Sequence, residues 1–294
     1  VTLPVVPGSS LSFAQINTEL GYSSTAQVSL NDSAVRTLAG VGASPAQIAI
    51  TNLSGKANTF PFTIASNTTN ADLRTLALAA GWNGSAIPVA TINSGVYVYS
   101  TSTGTPALTI SGSFPAGVQL VNNGTILGCG GAGGTGANNG GTGSPGAGGG
   151  LALSVSVAVS ITNNATISGG GGGGGGSGAY SNACGSTVGG GGGGGIGNGP
   201  AGSKGTVGSF TFTGSNGTAG TLTAPGVGVA TSPWGHQGGT GGTGGAAGAT
   251  GATGSSAYCG VGRAGGSGGS GGGAVSGNAN ITWVATGTRL GSIA

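Results

Sequence analysis

Charge is what this sequence lacks most. Charged side chains fill 3% of its 294 positions, where an ordinary soluble protein carries about 25%. The acids are Glu19, Asp32 and Asp72, and none follows. Glycoside hydrolysis needs two carboxylates across the scissile bond. Here all three acids precede the glycine-rich half, and Asp32 and Asp72 read as helix-start residues. His236 is the lone histidine, so a Ser-His-acid triad has no nearby acid to orient it. The string Gly265-Gly-Ser-Gly-Gly269 matches a nucleophile-elbow pattern, but in this composition such matches carry nothing. The expectation is a protein that is not an enzyme.

Other absences narrow the class further. Six Lys and Arg against three acids give a net charge of +3. They form no basic cluster that could neutralise a row of phosphates, so no nucleic-acid partner is expected. No apolar run reaches the roughly 18 residues of a membrane span. The closest, Leu151 to Ile161, alternates with serines and reads as a strand. The first residues have no basic n-region and no apolar h-region, so no signal peptide is expected. The three cysteines, Cys129, Cys184 and Cys259, fit no zinc spacing. They read as free thiols, or as one disulfide with a spare. No metal and no cofactor is expected.

What is abundant is glycine, with 74 residues. Three zones follow. Residues 1–57 carry two short helix patterns. Ser12 with Gln15 forms a capping-box pattern ahead of Phe13, Ile16 and Leu20, and Gly21 stands at the stop position. A second helix begins at Asn31 and Asp32, buries Val35 and Leu38, and stops at Gly40. Residues 58–127 hold strand patterns at 60–64, 89–92, 96–99, 107–110 and 118–121. Among them lies a third helix, capped at Thr69 and Asp72 and ended by Gly81. Residues 128–294 are glycine-dominated, with a terminal strand at 280–286. The fold class expected is a small α+β N-terminal region with a β-rich connector, then a polyglycine II helix bundle, or sandwich.

The bundle reading comes from glycine spacing. Gly169 to Gly176 and Gly189 to Gly195 are unbroken runs. Elsewhere glycine returns every third residue, as at Gly199, Gly202, Gly205 and Gly208, and again from Gly239 to Gly254. Three residues per turn is the period of a polyproline II-type helix. A flexible linker has no reason to hold that register. Without Cβ atoms, such threads approach closely and pair their peptide groups. A thread enclosed on all sides then tolerates glycine alone, whereas a rim thread admits Thr, Ala or Ser outward, as Thr240, Thr243, Ala246 and Ala249 do. A near-repeat, Asn122-Asn-Gly-Thr-Ile and Asn163-Asn-Ala-Thr-Ile, leads each time into glycine and reads as a tight turn feeding a stacked layer.

Glycine-rich threads joined by variable segments resemble the adhesins that tip the long tail fibres of T-even-type phages, across about residues 128–278. Leu11 to Leu20, Val28 to Gly40 and Leu76 to Gly84 resemble segments of phage tail structural proteins. The N-terminal half departs from the T-even adhesins. The resemblance implies a virion tail protein that contacts a bacterial outer-membrane protein or surface glycan. Residues 1–57 would attach it to other phage tail proteins, with a homotrimer among the open arrangements. Residues out of character with the glycine zone are then the receptor-binding candidates: Tyr180, Trp234, His236, Tyr258 and Arg263. Aromatics and arginine anchor recognition surfaces. Two rival readings remain: a purely structural tail-tip component, and an extracellular glycine-rich, ice-binding-like protein.

Overall fold

The computed structural model describes residues 3, 11–42, 46–54, 56–138, 140–179, 181–182, 185–186, 188–206, 215–229, 246–256 and 263–294. Helix α1 (Phe13–Glu19) starts where the Ser12 hydroxyl accepts from the Gln15 N–H at 3.2 Å and the Gln15 side chain accepts from the Ser12 N–H at 2.9 Å. Helix α2 (Ser33–Ala39) stops at Gly40, whose φ of 71° is open to glycine without a Cβ penalty. Seven-residue helices are too short to hold alone. They fold here by burying Ile16, Leu20, Val35 and Leu38 with Leu3 and Leu53. Arg36 is buried beside them, donating to the carbonyls of Gly42 and Ala46 and to Asn31 Oδ1. Glu19 Oε1 accepts from the Asn58 N–H at 2.8 Å, which ties this helical unit to the strand that follows.

That strand opens a stack of five coils with three faces. The first coil is β1 (Thr59–Ile64), β2 (Thr68–Thr69) and β3 (Ala71–Asp72). Helix α3 (Leu73–Ala79) follows, its first turn capped by Asp72 accepting from the Thr75 N–H at 2.7 Å. The second coil is β4 (Ile87–Ile92), β5 (Tyr97–Tyr99) and β6 (Leu108–Ile110), and the third is β7 (Gln119–Asn122), β8 (Thr125–Leu127) and β9 (Leu153–Val155). The fourth uses β10 (Val159–Asn163) and β11 (Thr166–Ser168); after it comes a small antiparallel hairpin, β12 (Ser181–Asn182) with β13 (Gly185–Ser186). Strand β14 (Val275–Ser276) completes the fourth coil, and β15 (Ile281–Ala285) and β16 (Thr288–Leu290) form the last. All pairing between coils is parallel, in the orders β1-β4-β7-β10-β15, β16-β11-β8-β5-β2 and β14-β9-β6-β3.

Each face stacks like on like. Ala90, Leu120 and Ile161 are neighbours in register on the first face; Val98, Ile126 and Ile167 on the second; Leu108, Leu153 and Val275 on the third. All are buried, each burial being worth about 1.5–3 kcal/mol for the larger aliphatics. One corner is polar. Asn122 donates to Asn163 Oδ1 at 2.8 Å, and Asn163 donates to the Thr286 carbonyl at 2.7 Å. Outside them Asn164 donates to Asn123 Oδ1 at 2.8 Å. The Asn-Asn near-repeat is thus one rung of the stack above another, and a Cβ on Gly124 would collide with the Val96 and Asn93 carbonyls.

The stack differs from the sequence expectation in two ways. It continues past residue 127, since β10 and β15 share a sheet with β1, β4 and β7. Strands far apart in sequence meet because each coil returns to the same face. The stretch 151–161 holds two strands, β9 and β10, around a corner. Alternation persists through it because a coil keeps its core on the same side when it turns.

Candidate functional site

At the corner between the second and third faces, the third and fourth coils run outward. Among the described residues, and apart from the β12–β13 hairpin, their excursions form nine threads without regular helix or strand: thread 1 (128–138), 2 (141–150), 3 (169–179), 4 (188–197), 5 (199–206), 6 (215–221), 7 (224–229), 8 (246–256) and 9 (263–273). Thread 1 continues the β8–β11 pairing onto thread 3. Gly128, Gly131, Gly134 and Ala137 donate in turn to Ser168, Gly171, Gly174 and Ser177. No linker separates coils from threads.

Thread 3 lies in the middle. Every N–H from Gly169 to Ala179 donates to a carbonyl, at 2.8–3.2 Å. The partner rotates with a period of three. Gly170, Gly173, Gly176 and Ala179 donate to thread 2; Gly171, Gly174 and Ser177 to thread 4; Gly172, Gly175 and Gly178 to thread 8. Threads 1 and 9 donate into it in return. Residues 169–179 are buried throughout, as are 188–195. A Cβ on Gly172, Gly173 or Gly175 would fall on the carbonyl of Gly269, Ala132 or Gly266. Ser177 is tolerated because its hydroxyl has a task, accepting from the Gly190 N–H at 2.7 Å. On the rim the pattern opens. Gly251 and Gly254 are buried while Ala252, Thr253 and Ser255 face out, and Gly202 and Gly205 alternate likewise with exposed Ser203 and Lys204.

The two ends of the threads differ. Near the coils the chain reverses tightly, at Asn198 with φ 62° and over 221–224, where the Thr221 hydroxyl accepts from the Ala224 N–H at 2.9 Å. The far end gathers the flanks of segments 180–187, 207–214 and 257–262, whereas of the flanks of 230–245 Val229 donates to Gly191 near that end and Gly248 donates to Gly169 beside the coils. At the far end Asn138 Oδ1 accepts from the Thr206 N–H at 2.7 Å, and Gly189 donates to Ala137. Ala179 donates to Gly141, Gly178 to Ser255, Gly143 to Ala264, and Gly191 to Ser215. So 138, 179, 188, 206, 215, 256 and 263 bound one surface.

Of the five sequence candidates, Arg263 is on that surface and exposed. Tyr180, Trp234, His236 and Tyr258 lie outside the described residues. Sequence reasoning missed Lys204, which is exposed at the same end with its N–H on Asn216 Oδ1 at 2.9 Å. Its signal was available: from 75 to 288, Lys204 and Arg263 are the only charged residues. Of the cysteines, Cys129 is free and buried at the base of thread 1, and burial pushes its thiol pKa up. Among the described residues no cluster of His, Cys, Asp and Glu could hold a metal ion, and no helix is long and apolar enough to cross a membrane.

A family model for the phage tail fibre adhesin Gp38 matches residues 59–294. That range begins at the first residue of β1 and takes in all five coils and all nine threads. Among solved structures, the chain is similar in fold to one from the gp37–gp38 adhesin tip complex of the bacteriophage S16 long tail fiber. Identity is 24%, the match covers 88% of this chain and 91% of that one, and the TM-score is 0.56. Curated proteins give no match. The chain belongs to the family of the phage tail fibre adhesin Gp38, and its place is the tail of the virion.

Proposed function

We propose that the nine threads are polyglycine II helices packed as a sandwich, and that segments at their far end bind a receptor on the host surface. The observation carrying this is thread 3, whose donors rotate over three neighbours with a period of three residues. That is the pattern expected of a helix with three residues per turn and no internal hydrogen bonds. Ordering glycine costs about 0.5–1 kcal/mol per residue beyond alanine. One satisfied backbone hydrogen bond returns about 0.5–1.5 kcal/mol. The two are of one size, so the arrangement holds only where nearly every N–H is paired, as in thread 3.

A fixed scaffold suits recognition because segments whose ends are already immobile lose less entropy on binding. The receptor is an outer-membrane protein or a surface glycan. The helical unit of residues 1–57 attaches the adhesin to another tail protein, a reading supported by the likeness to a complex of two tail-fibre proteins. The coils of the connector hold the two apart. We read the protein as non-catalytic. Glu19 is buried against Asn58, Asp32 accepts from the Ser29 N–H and Asp72 caps α3, so the carboxylates have structural work.

Competition tests this. Purified protein added to host cells should block phage adsorption. The double variant Lys204→Ala, Arg263→Ala should melt at the unaltered temperature and block poorly. Full blocking by the double variant would remove the far end from the account.

A further inference from the structure

The sequence has five Asn-Gly pairs, beginning at Asn83, Asn123, Asn139, Asn198 and Asn216. An asparagine before glycine is chemically vulnerable. With no Cβ in the way, the glycine nitrogen can attack the side-chain amide carbon of the residue before it. The fold treats the four described pairs differently. Gly124 donates its N–H to Asn122 Oδ1 at 3.2 Å, Gly199 to the Gly195 carbonyl at 3.0 Å and Gly217 to the Gly202 carbonyl at 3.0 Å. Gly84 N–H meets no acceptor among the described residues. Asn139 lies outside the described residues.

The electrophile at Asn83 is also prepared. Its Oδ1 accepts from the Ser85 N–H at 3.1 Å and from the Ser85 hydroxyl at 2.8 Å. Two donors on a carbonyl oxygen polarise the carbon and stabilise the negative charge that develops on attack. Asn83 is exposed, so water and hydroxide reach it. We propose that Asn83 is a deamidation site of the folded protein, selected by a free nucleophile and a polarised amide.

The steps balance without an oxidant. Hydroxide takes the Gly84 N–H proton, and the nitrogen bonds to Asn83 Cγ. The Cγ–Nδ2 bond breaks, and Nδ2 takes a proton from water and leaves as ammonia, which regenerates the hydroxide. The cyclic imide is then opened by water at either carbonyl, giving aspartate or isoaspartate. The product places a carboxylate on a cleft of about 880 Å³ between the helical unit and the first coils, lined also by Tyr22, Phe60 and Lys56. Lys56 is the one charged side chain among its lining residues.

The test is peptide mapping of folded protein and of urea-unfolded protein, held side by side in mildly alkaline buffer. In the folded sample Asn83 should convert roughly tenfold faster than Asn123, Asn198 or Asn216, whose glycines must first give up a hydrogen bond. In the unfolded sample the four should convert alike. Ser85→Ala should slow Asn83 in the folded protein and leave its rate unchanged in urea. Asn83 intact in the folded protein while converting in urea, or Asn216 converting as fast as Asn83, would overturn the proposal.

Discussion

In the coils Leu120 is buried between Ala90 and Ile161, and the stack holds because each face supplies a side chain that fills the space beside its neighbour. In the threads Gly173 is just as buried, and the bundle holds because nothing projects from it. One region is stabilised by apolar atoms between backbones. The other brings backbones together and relies on their peptide groups. They share a chain and a register, since the β8–β11 pair runs into threads 1 and 3 without a break. Close packing therefore needs no side chains, provided every amide finds a partner.

The contrast breaks most sharply with opposite substitutions. Gly173→Val puts a branched side chain onto the Ala132 carbonyl and should destabilise by more than about 4 kcal/mol, in the range reserved for severe core damage. Chemical denaturation or loss of soluble protein reads it. Leu120→Ala, the reverse operation in the coils, should cost about 3 kcal/mol. If Gly173→Val were tolerated as well as a surface change, the threads would not be packed on that side. Next, Asn163→Ala leaves the Asn122 amide and the Thr286 carbonyl without a rung, and should cost about 1–3 kcal/mol. Smallest is Thr253→Ala on the exposed side of thread 8, expected within about 0.5 kcal/mol. Equal effects at Gly173 and Thr253 would erase the difference between enclosed and rim threads.

Cys129 sharpens the junction. Burial raises its pKa, so the folded protein keeps a neutral thiol at pH values where the unfolded chain has begun to ionise. The stability this confers is complete below the unfolded thiol's pKa and declines as pH rises past it. Alkylation of Cys129 should accordingly be slow until denaturant is added.

Local features were legible in the sequence because they are set by local chemistry. The capping box of Ser12 and Gln15 and the stop at Gly40 involve residues three or four apart, and both are present; of the expected Thr69 and Asp72 pair, Asp72 caps α3 while Thr69 lies in β2. The Asn122 and Asn163 repeat was legible as a stacked turn because the rungs are the same residues. The stacking of coils was not. Leu108 meets Leu153 across an excursion that the sequence does not measure, and alternation is silent about corners. At the far end, Arg263 stands out against its neighbours in the sequence and is exposed in the structure. Lys204, inside a period-three glycine run, is exposed on the rim at the same end.

Amide hydrogen exchange across residues 169–179 addresses the central claim most directly. With every N–H in that thread bonded to a neighbour, exchange there should be among the slowest in the protein, as slow as at Leu120 and Ile161 in the coils. Exchange at the rate of an open glycine chain, with the coils still protected, would contradict the account.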